Sequence, residues 1–341
     1  FDPETRTLVG ESSGLVADVR FDPRRASPAF SVSATGVLVY QRAGEPGGDR
    51  LVWLDRQGHE TGTLGPVGSL YTPRLSPDGT RVAVDISDES NRGDVWILDV
   101  RRGSATRMTT AEEDESCPVW SPDGRTLAYC SVAGSRRFRP VIMPAGGPGT
   151  GTVLTEAPDR DLDPCDWHGD QILVEGDSID GGSQDLYRVS TADGELQPFI
   201  ATSFEELGAT FSPDGRHVAY ASDESGRSEV YIRDFPGGGR RWQVSVEGGR
   251  MPRWNPDGSE ILFLAPDDHL TAVPITRREA GGETEFEFGA AERLFAVDVK
   301  DHGSTQWDVL DGERFLFNVE VRAGATDPLT LVQGWHLTPT P

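Results

Sequence analysis

Cysteine, histidine and basic charge are all in short supply in this chain of 341 residues, and each shortage removes a class of protein. Cys117, Cys130 and Cys165 are the three cysteines. They are too few and too scattered for a disulfide framework or a zinc site, and are expected as small buried hydrophobes. The six histidines, His59, His168, His217, His269, His302 and His336, contain no H-E-x-x-H and no close pair, so they are expected at loops and edges. Lys and Arg number 32 against 56 Asp and Glu, a formal charge of −24 that argues against a nucleic-acid partner. No window approaches the roughly 18 apolar residues of a membrane helix, and no basic-then-apolar signal peptide opens the chain. The first residue is Phe1. The expectation is therefore a piece of something longer, possessing no transmembrane segment of its own and tethered by a preceding helix.

Turn-forming residues, by contrast, are plentiful: 40 Gly and 24 Pro. Their arrangement is periodic. Leu75-Ser76-Pro77-Asp78-Gly79 returns as Trp120-Ser121-Pro122-Asp123-Gly124, Phe211-Ser212-Pro213-Asp214-Gly215 and Trp254-Asn255-Pro256-Asp257-Gly258. Each copy is followed by an apolar strand such as Val82-Ala83-Val84 or Val218-Ala219-Tyr220. Pro presets φ, Asp caps the backbone two residues on, and Gly takes the positive φ, so the flanking residues are thrown into an antiparallel hairpin. Weaker copies lie at Cys165–Val174, Phe30–Tyr40 and Trp307–Phe317. Seven copies at a spacing of roughly 43 to 55 residues match a four-stranded propeller blade rather than a helical solenoid.

The expected fold is all-β: a seven-bladed β-propeller of four-stranded antiparallel blades, with six or eight blades as alternatives. The whole of 1–341 is read as one propeller domain, with blades at about 28–66, 71–110, 115–156, 161–201, 206–247, 250–297 and 304–338. The last blade runs out of chain one strand short. Because an open sheet edge invites aggregation, closing strands are expected from residues 1–20. The polar stretch from Thr276 to Glu283 reads as a loop.

The Ser-Pro-Asp-Gly units and their Val-Ala-Tyr-like strands resemble the WD40-like Pro-Asp repeat of TolB-type propellers, over nearly the whole chain. More narrowly, Phe1-Asp2-Pro3, Phe30–Tyr40 and Leu51-Val52-Trp53-Leu54-Asp55-Arg56-Gln57-Gly58 resemble the propeller that follows the membrane helix in receptor-type bacterial serine/threonine protein kinases. The resemblance implies an extracytoplasmic sensor or interaction module, periplasmic or at the cell surface. A Gly-rich phosphate loop, Val-Ala-Ile-Lys, His-Arg-Asp and Asp-Phe-Gly do not occur, so the chain is not itself the kinase.

Chemistry-bearing motifs are sparse. Gly10-Glu11-Ser12-Ser13-Gly14 satisfies G-x-S-x-G, but the apolar Leu15-Val16-Ala17 after it reads as strand, where a nucleophile elbow needs a helix. No catalytic residue is assigned and the chain is expected not to be an enzyme. The alternatives are an enzyme with its site in the funnel, a polysaccharide lyase or hydrolase, and a structural spacer. His168 and His302 are the pair a distributed metal site would use. The acids carry the main signal. Glu113, Asp114, Glu115, Asp161, Asp163, Glu205, Glu206 and Asp301 fall just before inner strands, where ring symmetry brings them to one mouth, with Arg250 and His302 nearby as counter-charges. A protein, peptide or small-molecule ligand is expected at this funnel face, cationic or arriving through a cation. No cofactor is called for, and Ca²⁺ is the ion that such a mouth would suit. Pro77, Asp78, Gly79 and their copies Pro122, Asp123, Gly124, Pro213, Asp214, Gly215, Pro256, Asp257 and Gly258 are expected as scaffold on the opposite face.

Overall fold

The Pro-Asp turn closes through its own side chains. Ser76 Oγ donates to Asp78 Oδ1 at 2.6 Å and accepts from Arg81 N at 3.0 Å, while Gly79 N donates to Ser76 O at 2.8 Å. Gly79 sits at φ 65°. The same hydroxyl-to-carboxylate bond recurs at 2.7 Å from Ser121 to Asp123 and from Ser212 to Asp214. Where Asn255 replaces the serine, Ser259 Oγ reaches Asp257 at 2.6 Å instead. Each turn therefore joins two antiparallel strands without help from the rest of the chain.

The computed structural model describes residues 21–22, 27–28, 30–33, 37–41, 48–132, 137–157, 159–177, 183–237, 239–280, 283–299, 305–321 and 329–333. All its regular elements are strands, with no helix among the described residues. Its strands fall into two units. In the smaller, Phe21–Asp22 pairs with Ser27–Pro28, and Val37–Gln41 lies between Phe30–Val32 and Leu329–Gln333.

The larger unit, Gly48–Val321, holds six antiparallel blades, five of four strands and one of five. Blade I takes its inner strands from Trp307–Val309 and Arg314–Val321 and its outer ones from Gly48–Asp55 and the start of Glu60–Leu75. That 16-residue strand then changes partner. Up to Gly68 it pairs with Gly48–Asp55, and from Ser69 it pairs with Arg81–Ser87 as the inner strand of blade II, which Gly93–Asp99 and Ala105–Arg107 complete. Blade III spans Asp114 to Val153, blade IV Leu162 to Ile200 and blade V Glu206 to Gln243, each in simple meander order; in blade VI, Arg250 to Ala296, the strand His269–Ala280 pairs with Glu292–Ala296 through its first part and with Glu283–Phe288 through its second. The inner strands touch in cyclic order, Ser69–Leu75 meeting that of blade III on one side and Trp307–Val309 on the other.

The apolar residues sit between blades rather than within them. Leu51, Leu64 and Leu316 of blade I pack with Leu70, Val82 and Leu98 of blade II, and Ala83, Val95 and Ile97 of blade II with Trp120, Leu127 and Tyr129 of blade III. Further clusters join III to IV, IV to V and V to VI. The last, with Leu262, Leu270 and Phe295 against Trp307, Phe315 and Phe317, joins VI back to I. A modest hydrophobic fraction of 36% suffices because each sheet buries both of its faces.

Three expectations are corrected by this pairing. The seven-bladed ring becomes six blades within Gly48–Val321, since Phe30–Val32 and Val37–Gln41 pair with Leu329–Gln333 instead of with Gly48–Asp55. The supposed first and seventh blades supply two strands each to blade I. The proposed closing segment 1–20 and the G-x-S-x-G at 10–14 lie outside the described residues. Of the stretch from Thr276 to Glu283, expected as a loop, the described residues are strand: Ile275 pairs with Phe288 and Ala280 with Glu283. Phe286 anchors that hairpin, its ring 4.8 Å from His217 and 4.9 Å from Trp242.

Candidate functional site

On the side of the ring away from the Pro-Asp turns, the inner strands carry a repeated β-bulge. It falls after Tyr71, Ser116, Pro164, Leu207 and Arg250 in blades II to VI. The bulged residue takes positive φ in four of them: Thr72 at 46°, Cys117 at 52°, Gly208 at 67° and Met251 at 52°. A β-branched threonine in that region is strained, and bulges of this kind re-aim side chains beside sites. All four, together with Cys165, line a cavity of about 770 Å³.

Second-strand carboxylates hold the bulges. Asp85 Oδ2 accepts Thr72 Oγ1 at 2.7 Å within blade II and Cys117 N at 3.2 Å from blade III. Glu175 of blade IV accepts Gly208 N of blade V at 2.6 Å. Burial pushes Asp85 up to about 7, against the opposing pull of these bonds. Burial likewise raises Asp163 to about 7, reinforced by the charges of Glu175, Asp161 and Asp177, and it raises Glu175 despite the nearby Arg74. Among the described residues, the wall presents Asp85, Asp114, Asp163, Glu175 and Glu205 against only Arg74 and Arg250.

The expected acids divide. Asp114, Asp163, Glu205 and Arg250 reach the cavity. Asp114 Oδ1 also accepts Gly93 N at 2.7 Å, Glu205 N donates to Asp223 Oδ1 at 2.9 Å, and Arg250 pairs with Asp268. Of the others, Glu113 bonds within blade III, whereas Asp161, Glu115 and Glu206 serve the joints between blades. Glu113 accepts Ser131 Oγ at 2.9 Å; Asp161 accepts Phe138 N at 2.7 Å and Arg137 at 3.1 Å. Glu115 and Glu206 are buried, and burial pushes each up to about 7, with Asp94 and Asp185 of the preceding blades adding to the rise. Asp301 and His302 lie outside the described residues. His168 packs on the turn face, its ring 5.7 Å from Phe211, and His217 is buried rather than at an edge.

Glu175 and Arg74 are wall residues that the loop-by-loop reading of charge did not name, and Asp85, an acid of the loops between second and third strands in that reading, joins them on the wall. Their signal was an acid interrupting an apolar strand, Val84-Asp85-Ile86 and Leu173-Val174-Glu175, where burial makes a carboxylate expensive without a task. The cysteines are also closer than their sequence spacing suggests. Cys117 Sγ, Cys130 Sγ and an Asp163 carboxylate oxygen lie within 4.8 Å of one another. The turn residues Pro77 and Pro122 line a second, smaller cavity of about 150 Å³ with Trp120, Trp167 and Arg253, whereas no Pro-Asp-Gly residue lines the larger one.

No family model matches the sequence. The uncharacterized peptidase YuxL of Bacillus subtilis is 28% identical over 211 residues, which cover 48% of this chain and 32% of that protein. A TolB homolog of Chlorobium chlorochromatii is 28% identical over 158 residues, 46% of this chain and 34% of its own length. The match thus spans about a third of either relative. Among solved structures, a TolB of Agrobacterium tumefaciens described as putative aligns with TM-score 0.59 at 15% identity, covering 81% of this chain and 99% of that one. An oligogalacturonate lyase of Vibrio parahaemolyticus aligns with TM-score 0.50 at 14% identity, over 89% and 90%. At these identities the structures show a shared fold. The expectation that the chain is no enzyme is corrected by this company, which includes a peptidase and a lyase. In its Pro-Asp turns and its ring of antiparallel blades the chain is a β-propeller, similar in fold to TolB proteins.

Proposed function

We propose that this propeller is a binding module whose cavity receives a positively charged ligand, foremost a basic peptide segment of a partner protein. The observation that supports the reading is the wall itself: five carboxylates face two guanidinium groups, and burial holds three of the five above their ordinary range. Acids crowded in a partly dry cavity repel one another, and a bound cationic group offsets that repulsion. The volume of about 770 Å³ lies in the range of small-ligand and peptide side-chain sites. Likeness to the TolB homolog supports the finer form of the reading, an extracytoplasmic interaction module. The sensor of a bacterial receptor kinase is a narrower version of the same proposal, supported by the sequence of residues 51–58.

The test is a titration with Ca²⁺ and with short Lys- and Arg-rich peptides at low and at physiological salt, following the melting temperature. Stabilisation by a peptide that weakens with salt and is lost in Asp114→Asn/Glu205→Gln is the expected result. No stabilisation of the parent, or equal stabilisation of the double variant, overturns the reading. Stabilisation by Ca²⁺ alone makes the ligand a hard metal ion instead of a peptide. YuxL carries a second reading, in which the propeller is the accessory part of a peptidase. Cleavage of short peptides by the full-length protein containing this chain tests it.

A further inference from the structure

Cys117, Cys130 and Asp163 come from three strands of two adjacent blades. Cys117 is the bulged residue of Asp114–Trp120, its backbone N held by Asp85. Cys130 lies on the next strand, opposite Ser116, with its thiol in contact with Ser116 Oγ at 3.0 Å and Ser116 O at 3.3 Å. Asp163 lies on the inner strand of blade IV, opposite Glu175. Cys130 is fully buried, and Asp163 Oδ1 is shielded from solvent with no hydrogen-bond partner among the described residues. Cys117 and Asp163 also face the large cavity.

We propose that the two thiols and this carboxylate form a three-ligand site for a thiophilic divalent cation of the zinc class, with a remaining coordination position turned to the cavity. Two sulfurs and one oxygen within 4.8 Å fit the spread of ligand atoms around such an ion. Soft sulfur donors select zinc-like ions over Ca²⁺ or Mg²⁺. On binding, both thiols release their protons and ligate as thiolates. Three protein ligands rather than four is the arrangement of sites that keep a position for water or a substrate atom. The inference shares Asp163 with the peptide-binding reading but rests on the thiols and is tested without peptide, so failure of one is distinguishable from failure of the other.

The experiment is a titration of the reduced, chelator-treated chain with Co²⁺ as a spectroscopic probe, followed by competition with Zn²⁺. The expected result is one equivalent bound, with thiolate-to-cobalt charge-transfer absorption that Zn²⁺ abolishes and Ca²⁺ does not. The band should vanish in Cys117→Ser and Cys130→Ser, weaken and shift in Asp163→Asn, and persist in Cys165→Ser. Should either serine variant fail to fold, the band in the parent and in Cys165→Ser still decides the matter, since no other cysteines exist in the chain. A parent without the band, a band that survives loss of Cys117 or Cys130, or a thiol count on unreduced protein showing the two joined as a disulfide overturns the proposal.

Discussion

At the scale of single residues, the turn glycines do two things at once. Gly79 needs its positive φ of 65° to close the Ser76 turn, and a Cβ there would also overlap Leu310 at the equivalent turn of blade I. Gly215 stands in the same relation to His168 of blade IV. Gly79→Val should therefore destabilise the protein by more than about 1 kcal/mol, adding backbone strain to a displaced neighbour. Chemical denaturation of the two proteins measures the difference, and unchanged stability would contradict the turn assignment. Asp78 and Asp214, held at about 2, belong to the same turns. Asp78 owes this to the Ser76 hydroxyl and the groups of Thr80; at Asp214 the Ser212 hydroxyl and Arg277 outweigh burial.

At the scale of elements, the two ends of the larger unit meet inside blade I, where Arg314–Val321 pairs with Gly48–Asp55, and the joint between blades VI and I buttresses that closure. Phe317 is fully buried at that joint, stacked 5.4 Å from Trp307 and edge-on at 6.0 Å to Phe295 of blade VI. Phe317→Ala should cost about 3–5 kcal/mol, the range for emptying a buried aromatic site. In a ring whose stability is shared through neighbour contacts, the loss should appear as one cooperative unfolding transition at lower denaturant rather than as local fraying. Equilibrium denaturation followed by both tryptophan fluorescence and circular dichroism distinguishes the two outcomes.

At the scale of the whole molecule, acid buried between blades sets the response to pH. Glu206 is the clearest case. It is 2% exposed, its Oε2 has no hydrogen-bond partner among the described residues, and Asp185 and Glu224 face it while Thr202 donates to it. Its folded value of about 7 stands above the ordinary 4.5. Between those limits the folded chain keeps a proton that the unfolded chain has released, so stability falls as pH rises and the penalty is complete above about pH 7. Below about pH 4 the sign reverses, as the turn carboxylates lose the bonds that hold them ionised. Melting temperature should thus rise on acidification from about pH 8 to about pH 5 and fall beyond it. Glu206→Gln, which retains an acceptor for Thr202 but carries no charge, should flatten the rise between pH 5 and 8; an unchanged slope would assign the dependence elsewhere.

What the amino-acid sequence determined by itself is everything that acts over a few residues. Ser-Pro-Asp-Gly closes its hairpin with its own hydroxyl, carboxylate and glycine, and the period between copies sets the size of a blade, so an all-β propeller was legible from one chain. Blade number was not, because Phe30–Val32 and Trp307–Val309 look like equivalent copies, and only the pairing of distant strands puts the first in a separate unit and the second inside blade I. The site followed the same division. Asp114, Asp163 and Glu205 were legible as acids preceding inner strands and do reach the cavity. Glu115 and Glu206 carry the same local signal, but the pleat turns alternate residues to opposite faces and buries them between blades. Cys117, Cys130 and Asp163, scattered along the chain, meet only because a bulge redirects one strand and the ring presses blade III against blade IV. Proximity across blades is a property of closure, and closure depends on contacts between segments too distant in sequence for local chemistry to specify.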